Sequence, residues 1–448
     1  MTSPEPSSAA QARARQTGRA RAKPHLDAIA LAAPLLTLLV LASWRKGAFF
    51  RPDIVVMPVL AAVLALTTPH VRDWARDHLQ ATAAGVFATA WWIADAVAWH
   101  HSVDSWRLPA TWICLAAGYG CARSLPAAAQ KVALAGTALA GLLAALTGLV
   151  AVGARSTFWT LPDERSLRFS GSFTYPSAVG LFLVIALIAG SEMATGKASN
   201  AARAVTVLGI VATDSRGAVV GLVVALCFRG VRRAIAAPTI AALVGAPLLL
   251  IGQRAHANHA LVAAAVVIAV GVAFIPDGVI SRVARLVAVP ALIAAGWLLL
   301  TQHHAVSGFD ASWTDRGDIL RGAWKVFIKH PLLGAGPDPS FGAHTLTGAP
   351  GIAFFTHNEP VEILISIGIV GFVVLAACGT VAVRAIRSSF GPLAVPILVS
   401  VAAAGVVDFV WHFAALGLAA GIVAGASTAA GRPGRIPLAD ASSASAES

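Results

Sequence analysis

Apolar runs long enough to be membrane helices recur along the whole chain, and the polar segments between most of them are short. A helix rises about 1.5 Å per residue, so about 15 to 25 apolar residues match a hydrocarbon core roughly 30 Å thick. Such runs begin near Asp27, Asp53, Leu79, Leu108, Val132, Pro176, Asn200, Gly217, Ile235, His259, Val283, Asn358, Ala394 and Trp411. A bilayer suits them, because a helix satisfies its own backbone polar groups where no water can. The expectation is an all-α polytopic transmembrane bundle of about 12–14 spans. Only 12% of the residues are charged and 57% are hydrophobic. Soluble domains carry about 25% charge, so a water-facing globule does not account for this chain.

The net charge of +12 would point to nucleic acid in a soluble protein, but here the cations fall in clusters between apolar runs. No nucleic-acid partner is expected. Alternate loops carry Arg72 and Arg76; Arg123 and Lys131; Lys197 and Arg203; Arg229, Arg232 and Arg233; Arg282 and Arg285; Arg384 and Arg387; and Arg432 and Arg435. Placing these inside puts both termini in the cytoplasm of a bacterial inner membrane and sends two longer segments outside, from Ala154 to Tyr175 and over 302–357. Arg45, Lys46 and Arg51 break the rule, since this scheme leaves them outside. Residues 1–25 and 431–448 read as disordered cytoplasmic tails, and 26–430 as the bundle. The four cysteines lie in or beside apolar runs with no CxxC spacing, so neither a disulfide framework nor a metal site is expected.

Chemistry is sought among polar residues on the outer side. Arg216 lies in Thr213-Asp214-Ser215-Arg216-Gly217, between apolar stretches too short to cross alone, which predicts a recessed hairpin with Arg216 near its tip. Arg168 and Arg316 fall on the same side. Guanidinium groups stay charged and offer paired donors, so three of them suit a diphosphate; pairing with Asp163, Asp214, Asp315 or Asp318 is the structural alternative. His357 stands where the long outer segment enters a span, as a general base toward an acceptor hydroxyl or as a cap. Glu359, Glu362 and Asp408 are carboxylates placed to orient it. Asp408-Phe409-Val410-Trp411-His412 adds a second imidazole, His412, and Trp313, Phe354 and Phe355 offer ring faces for sugars or for an interfacial belt. Asp315 to Lys329 mixes apolar and basic residues as a surface-lying helix would, ending at His330-Pro331 before the turn-forming Gly334-Ala335-Gly336-Pro337.

Taken in order, Arg168-Phe-Ser-Gly-Ser-Phe-Thr-Tyr-Pro-Ser, Ser215-Arg216-Gly217, Arg316 followed by Trp324, His330-Pro-Leu-Leu-Gly-Ala-Gly-Pro and His357-Asn358 resemble the O-antigen ligase family, within the O-antigen ligase and polymerase superfamily. The resemblance covers about 160–426. It implies glycosyl transfer from an undecaprenyl diphosphate-linked glycan without metal, nucleotide or other cofactor. Arg216 and Arg316 match the family's phosphate-binding arginines, His357 its essential histidine, and the long outer loop a cap over a cavity; Asn358 follows as part of the same motif. Ser177 stands where the family often has Asn, and Pro360 also departs from the pattern, both bearing on the acceptor more than the donor. The partners implied are the lipid-linked donor, a glycan, lipid or protein acceptor, and membrane lipids. A repeat-unit polymerase shares this chemistry and is not separated by sequence. A lipid-linked saccharide transporter would show internal inverted repeats, which are not evident here.

Overall fold

The computed structural model describes residues 8–98, 103–162, 167–193, 196–254, 259–275, 307–337, 339–344, 350–353 and 355–427, and every structural statement below refers to these. The elements are α1 (Ser8–Trp44), α2 (Asp53–Thr67), α3 (Pro69–Asp77), α4 (Leu79–Ala98), α5 (Arg107–Ser124), α6 (Ala127–Ala154), β1 (Thr160–Pro162), β2 (Leu167–Phe169), α7 (Pro176–Gly190), α8 (Lys197–Ala212), α9 (Arg216–Cys227), α10 (Arg229–Arg254) and α11 (His259–Ala273). They continue with α12 (Ser307–Lys329), β3 (Phe341–His344), β4 (Pro350–Ala353), α13 (Glu359–Ile386), α14 (Ala394–Val407) and α15 (Ala414–Ala426). The strands form two small antiparallel hairpins, pairing Thr160 with Phe169 and Phe341 with Ala353 at their open ends. Everything else is an all-α membrane bundle.

Five helical stretches are long and apolar enough to cross a membrane: Leu26–Trp44, Leu79–Ala98, Ala127–Ala154, Arg229–Gln253 and Glu359–Ser389. The α2–α3 pair, bent by 91°, makes a sixth if it is one broken span, and α7, α9, α11, α14 and α15 are shorter apolar helices. The run expected near Val283 and the tail 431–448 lie outside the described residues. Helix α1 reaches back to Ser8, through most of the stretch read as a disordered tail, in keeping with the strong helix preference of its Ala, Gln and Arg residues.

Two short helices form the centre. Every residue of α7 and of α15 is buried. Helix α15 lies against α5 at backbone contact, because Gly417, Gly421 and Gly425 face the carbonyl oxygens of Thr111, Leu115 and Tyr119, and a Cβ at any of the three would collide with them. In lipid, where no hydrophobic force drives helices together, such small-residue stripes let backbones approach and gain dispersion energy. At the far end of α7, buried Arg203 donates from Nη2 to the carbonyls of Gly190 (2.7 Å) and Met193 (3.2 Å). A cation is well placed there, at the negative end of a helix. This arginine of α8 therefore has a packing role.

The turn after α8 joins two short helices that splay apart. Helices α8 and α9 are not a packed hairpin: α9 rests on α14 and α7, while α8 rests on α10. The reason is visible at Gly180 of α7, where a Cβ would come within 2.6 Å of Ala218 and 2.9 Å of Thr213 Oγ1. Helix α7 wedges into the opening of the pair, so the turn bearing Arg216 is held by the buried centre.

The glycine-rich segment after α12 has a structural use that its composition alone does not reveal. Helix α13 is broken at Gly368, which takes φ 66° and ψ −174°. Ala335 and Gly336 N–H donate to the carbonyls of Ile365 and Ser366 (both 2.9 Å), and Ile369 and Val370 N–H donate to those of Pro331 (2.9 Å) and Leu332 (3.1 Å). The Pro331–Gly336 strand thus supplies the partners that the broken helix lacks. Gly334 and Gly336 take φ of 77° and 88°. A Cβ at Gly334 would overlap the Ser366 carbonyl, so this turn admits no side chain there. Helix α12 is thereby fastened to α13.

Candidate active site

Four helices, α7, α9, α13 and α15, begin at one spot, and His357, Asn358 and Asp408, among the described side chains singled out in the sequence, gather around it. Its hub is Asp408, in the break between α14 and α15, with only 3% of its side chain exposed. His357 Nδ1 lies 3.0 Å from Asp408 Oδ1. Tyr175 donates its hydroxyl to the same oxygen at 2.5 Å, and Ser177 donates to Oδ2 at 2.5 Å. The Phe409 N–H adds a fourth bond at 2.9 Å. Burial pushes the Asp408 carboxyl up, but the hydrogen bond and charge of His357 and the bonds from Ser177 and Tyr175 outweigh it, and the group is lowered to about 2.

A carboxylate that only accepts fixes the imidazole beside it with the proton on Nδ1. The other ring nitrogen, Nε2, is then an acceptor. With 26% of its side chain exposed, His357 is reachable where Asp408 is not. Its backbone takes φ 54°, and Asp214 and Thr174, which flank the other two walls, take 48° and 59°. Left-handed backbone in non-glycine residues costs about 1–3 kcal/mol each and collects at functional sites.

Around this hub each neighbour has an identifiable task. Asn358 caps α13 by accepting from the Val361 N–H (3.0 Å) and ties it to α14 by donating to the Val406 carbonyl (2.7 Å). Glu362 accepts from the Thr356 N–H at 2.8 Å, fixing the backbone just before His357. Glu359 does not orient His357. It is fully buried, accepts from the Trp411 N–H at 2.5 Å and sits 3.3 Å from His412 Nδ1. The Trp411 indole turns to the Val401 carbonyl (3.0 Å) and packs on Gly405 instead of offering a face to a sugar.

The arginines divide. Arg216 is the first residue of α9, behind Ser215, whose hydroxyl caps the helix by accepting from the Ala218 N–H (3.2 Å). The next residue, Gly217, faces the hub: a Cβ there would stand 3.4 Å from Asp408 Cβ. Arg168, on β2, donates to the carbonyls of Thr213 (3.3 Å) and Asp214 (3.0 Å), so it braces the Arg216 turn and leaves the Asp214 carboxylate aside. Gln253 joins the same pieces by donating to the Ala212 (2.7 Å) and Leu167 (3.0 Å) carbonyls. Arg316 and Trp313 belong to α12, but their side chains, like Phe354 and Asp163, lie outside the described residues. Asp318 pairs with Arg321.

Phe409 is the floor. It stacks on Tyr175 (4.4 Å) and Phe355 (4.5 Å) and meets the His357 ring edge-on at 5.0 Å. The converging helix N-termini, each carrying a partial positive charge, and two arginines make this end of the bundle suited to an anion. Tyr175, Ser177 and Gln253 are not among the sequence's candidate site residues, Ser177 being noted there only as a departure from the family pattern. The first two lie in the motif opened by Arg168, but nothing local marks them as partners of a carboxylate more than two hundred positions away.

The O-antigen ligase family model matches residues 201–376 of this chain. The match takes in Arg216, Arg316, His357 and Glu359, begins after Tyr175 and Ser177, and ends before Asp408. No curated protein matches the chain.

Proposed function

We propose that this multi-pass membrane protein, whose residues 201–376 match the O-antigen ligase family model, moves a glycan from an undecaprenyl diphosphate carrier to an acceptor hydroxyl at the outer face of a bacterial inner membrane. The observation that carries the reading is the 3.0 Å contact between His357 Nδ1 and a carboxylate itself held by Tyr175 and Ser177. Asp408 keeps the imidazole oriented and stabilises the imidazolium that forms.

His357 Nε2 takes the proton of the acceptor hydroxyl as that oxygen attacks the sugar carbon attached to the diphosphate. The new carbon–oxygen bond forms while the bond to the diphosphate breaks, and the diphosphate leaves with the electron pair. Arg216 and Arg316 bind that leaving group, with the free donors of Arg168 beside them. Pre-aimed guanidinium groups and helix N-termini stabilise charge that grows only in the transition state, which is where such groups contribute most. The proton on His357 is then lost to the departing diphosphate or to water. Both termini lie in the cytoplasm in this arrangement, with α12 and the two hairpins outside.

The test is transfer by purified protein in lipid, given undecaprenyl diphosphate-linked glycan and candidate acceptors without metal or nucleotide. Wild type is expected to glycosylate one acceptor, and Arg216→Ala to lose most of that activity while remaining folded. Movement of the saccharide lipid across the bilayer with no acceptor modified would instead make the protein a transporter.

A further inference from the structure

The one loop whose cations run against the charge rule is packed directly on the candidate site. A Cβ at Gly47 would come within 2.6 Å of the Phe173 ring and 2.8 Å of the Phe413 ring, and Ser172 donates to the Ser43 carbonyl at 2.7 Å. Arg45, Lys46 and Arg51 are exposed on this rim. Arg45 pairs with Asp53 at 3.0 Å, and Lys46 Nζ stands 5.1 Å from the Phe50 ring centre. Arg107, the first residue of α5, adds a guanidinium 4.2 Å over Phe49 and 5.8 Å from Phe355, with Nε donating to the Phe49 carbonyl at 3.1 Å. Phe355 stacks on Phe409, and Phe409 meets His357. A line of ring faces therefore leads from a cationic rim to the imidazole.

Two observations distinguish this rim from ordinary surface charge. Lys46, Gly47 and Ala48 take φ of 56°, 69° and 56° in succession. Left-handed backbone costs a non-glycine residue about 1–2 kcal/mol, so two such residues in a row of three persist only where the surroundings dictate the shape. The second is topological: cations are depleted from loops that cross the membrane, yet this loop carries three on the side where the site opens. Arg45, Lys46, Arg51 and Arg107 are offset by Asp53 on the same rim.

We propose that this rim binds a phosphate ester carried by the acceptor, with the acceptor running past the stacked rings to place its reacting hydroxyl at His357. Guanidinium and ammonium groups recognise phosphate oxygens. The acceptor is then an anionic, phosphate-bearing glycan and not a neutral one. This rests on the reading of His357 as the acceptor's base, since only then do the rings lead to a reacting hydroxyl.

Binding tests it without transfer. Full-length protein in phosphatidylcholine nanodiscs is titrated with a fluorescent glycerol phosphate oligomer and, separately, with an uncharged dextran oligomer of matched length. Wild type is expected to bind the phosphate oligomer at least about tenfold more tightly, with affinity falling as salt rises. The Lys46→Ala/Arg51→Ala double variant, altered only at exposed positions, is expected to lose about tenfold and most of the salt dependence. Equal binding of both oligomers, or a double variant that binds like wild type, overturns the proposal. If phosphatidylglycerol added to the disc displaces the oligomer through the same two residues, the rim is a lipid headgroup site and the acceptor assignment is overturned. Should no transfer be found while Lys46 and Arg51 still govern binding, the phosphate site stands and the reading of His357 falls.

Discussion

Two imidazole–carboxylate pairs sit within one turn of chain of each other, and they differ most in exposure. His357 faces Asp408 with 26% of its side chain exposed, whereas His412 faces Glu359 with only 2% exposed. Both pairs join the start of α13 to the break between α14 and α15. The functional groups are of the same kind, so exposure is what separates the pair that can meet a substrate from the pair that holds the break together. Residue type marked both pairs in the sequence; burial assigned the roles.

Breaking the exposed pair should have the largest effect. His357→Ala is expected to lower transfer about 10²- to 10⁴-fold with little change in folding, measured as turnover per folded molecule, since a positioned general base contributes about that much. Breaking the buried pair should act on stability instead. Glu359→Ala leaves the Trp411 N–H and His412 without their partner, and losing one member of a buried pair costs about 3–5 kcal/mol. The readout is the yield of monodisperse protein and its thermal midpoint, with Glu359→Gln retaining more of both.

Next comes the fastening of α12, which carries Arg316. Gly334→Ala puts a Cβ into the Ser366 carbonyl at a backbone with φ 77° and is expected to cost about 1–3 kcal/mol or more, loosening α12. Protease sensitivity confined to 307–337 would report this, and uniform resistance would show the joint is not needed. Tyr175→Phe removes one of the bonds to Asp408 and should lower transfer by no more than about tenfold, with KM nearly unchanged. The smallest effect concerns pH. Because the folded Asp408 carboxyl is lowered to about 2 from the ordinary 3.8, its contribution to stability is complete above about pH 4 and is lost as pH falls toward 2. The thermal midpoint of the wild type should drop across that window more steeply than that of Asp408→Asn.

Much of this was legible in the chain because membrane insertion leaves a one-dimensional record. The starts of α2, α4, α7 and α11 fall where the apolar runs begin, and Lys329 ends α12 just before His330-Pro331, where proline disfavours helix. His357 and Asp408 stood out as polar residues at span entrances. What stayed hidden depends on packing between distant segments. Glu359 and Glu362 share the first turn of α13, yet each finds a different backbone N–H, and no periodicity tells them apart. The α8–α9 turn read as a hairpin because only α7 in three dimensions pries it open. The union of Pro331–Gly336 with the broken α13 pairs backbone groups, which leave no side-chain signal beyond the glycines themselves.

The most direct measurement compares transfer by His357→Gln with transfer by His412→Gln, each expressed per folded molecule in the same lipid. The account predicts that His412→Gln keeps most of the wild-type rate while His357→Gln loses nearly all of it. Equal losses, or a larger loss in His412→Gln, would contradict the assignment of His357 as the base.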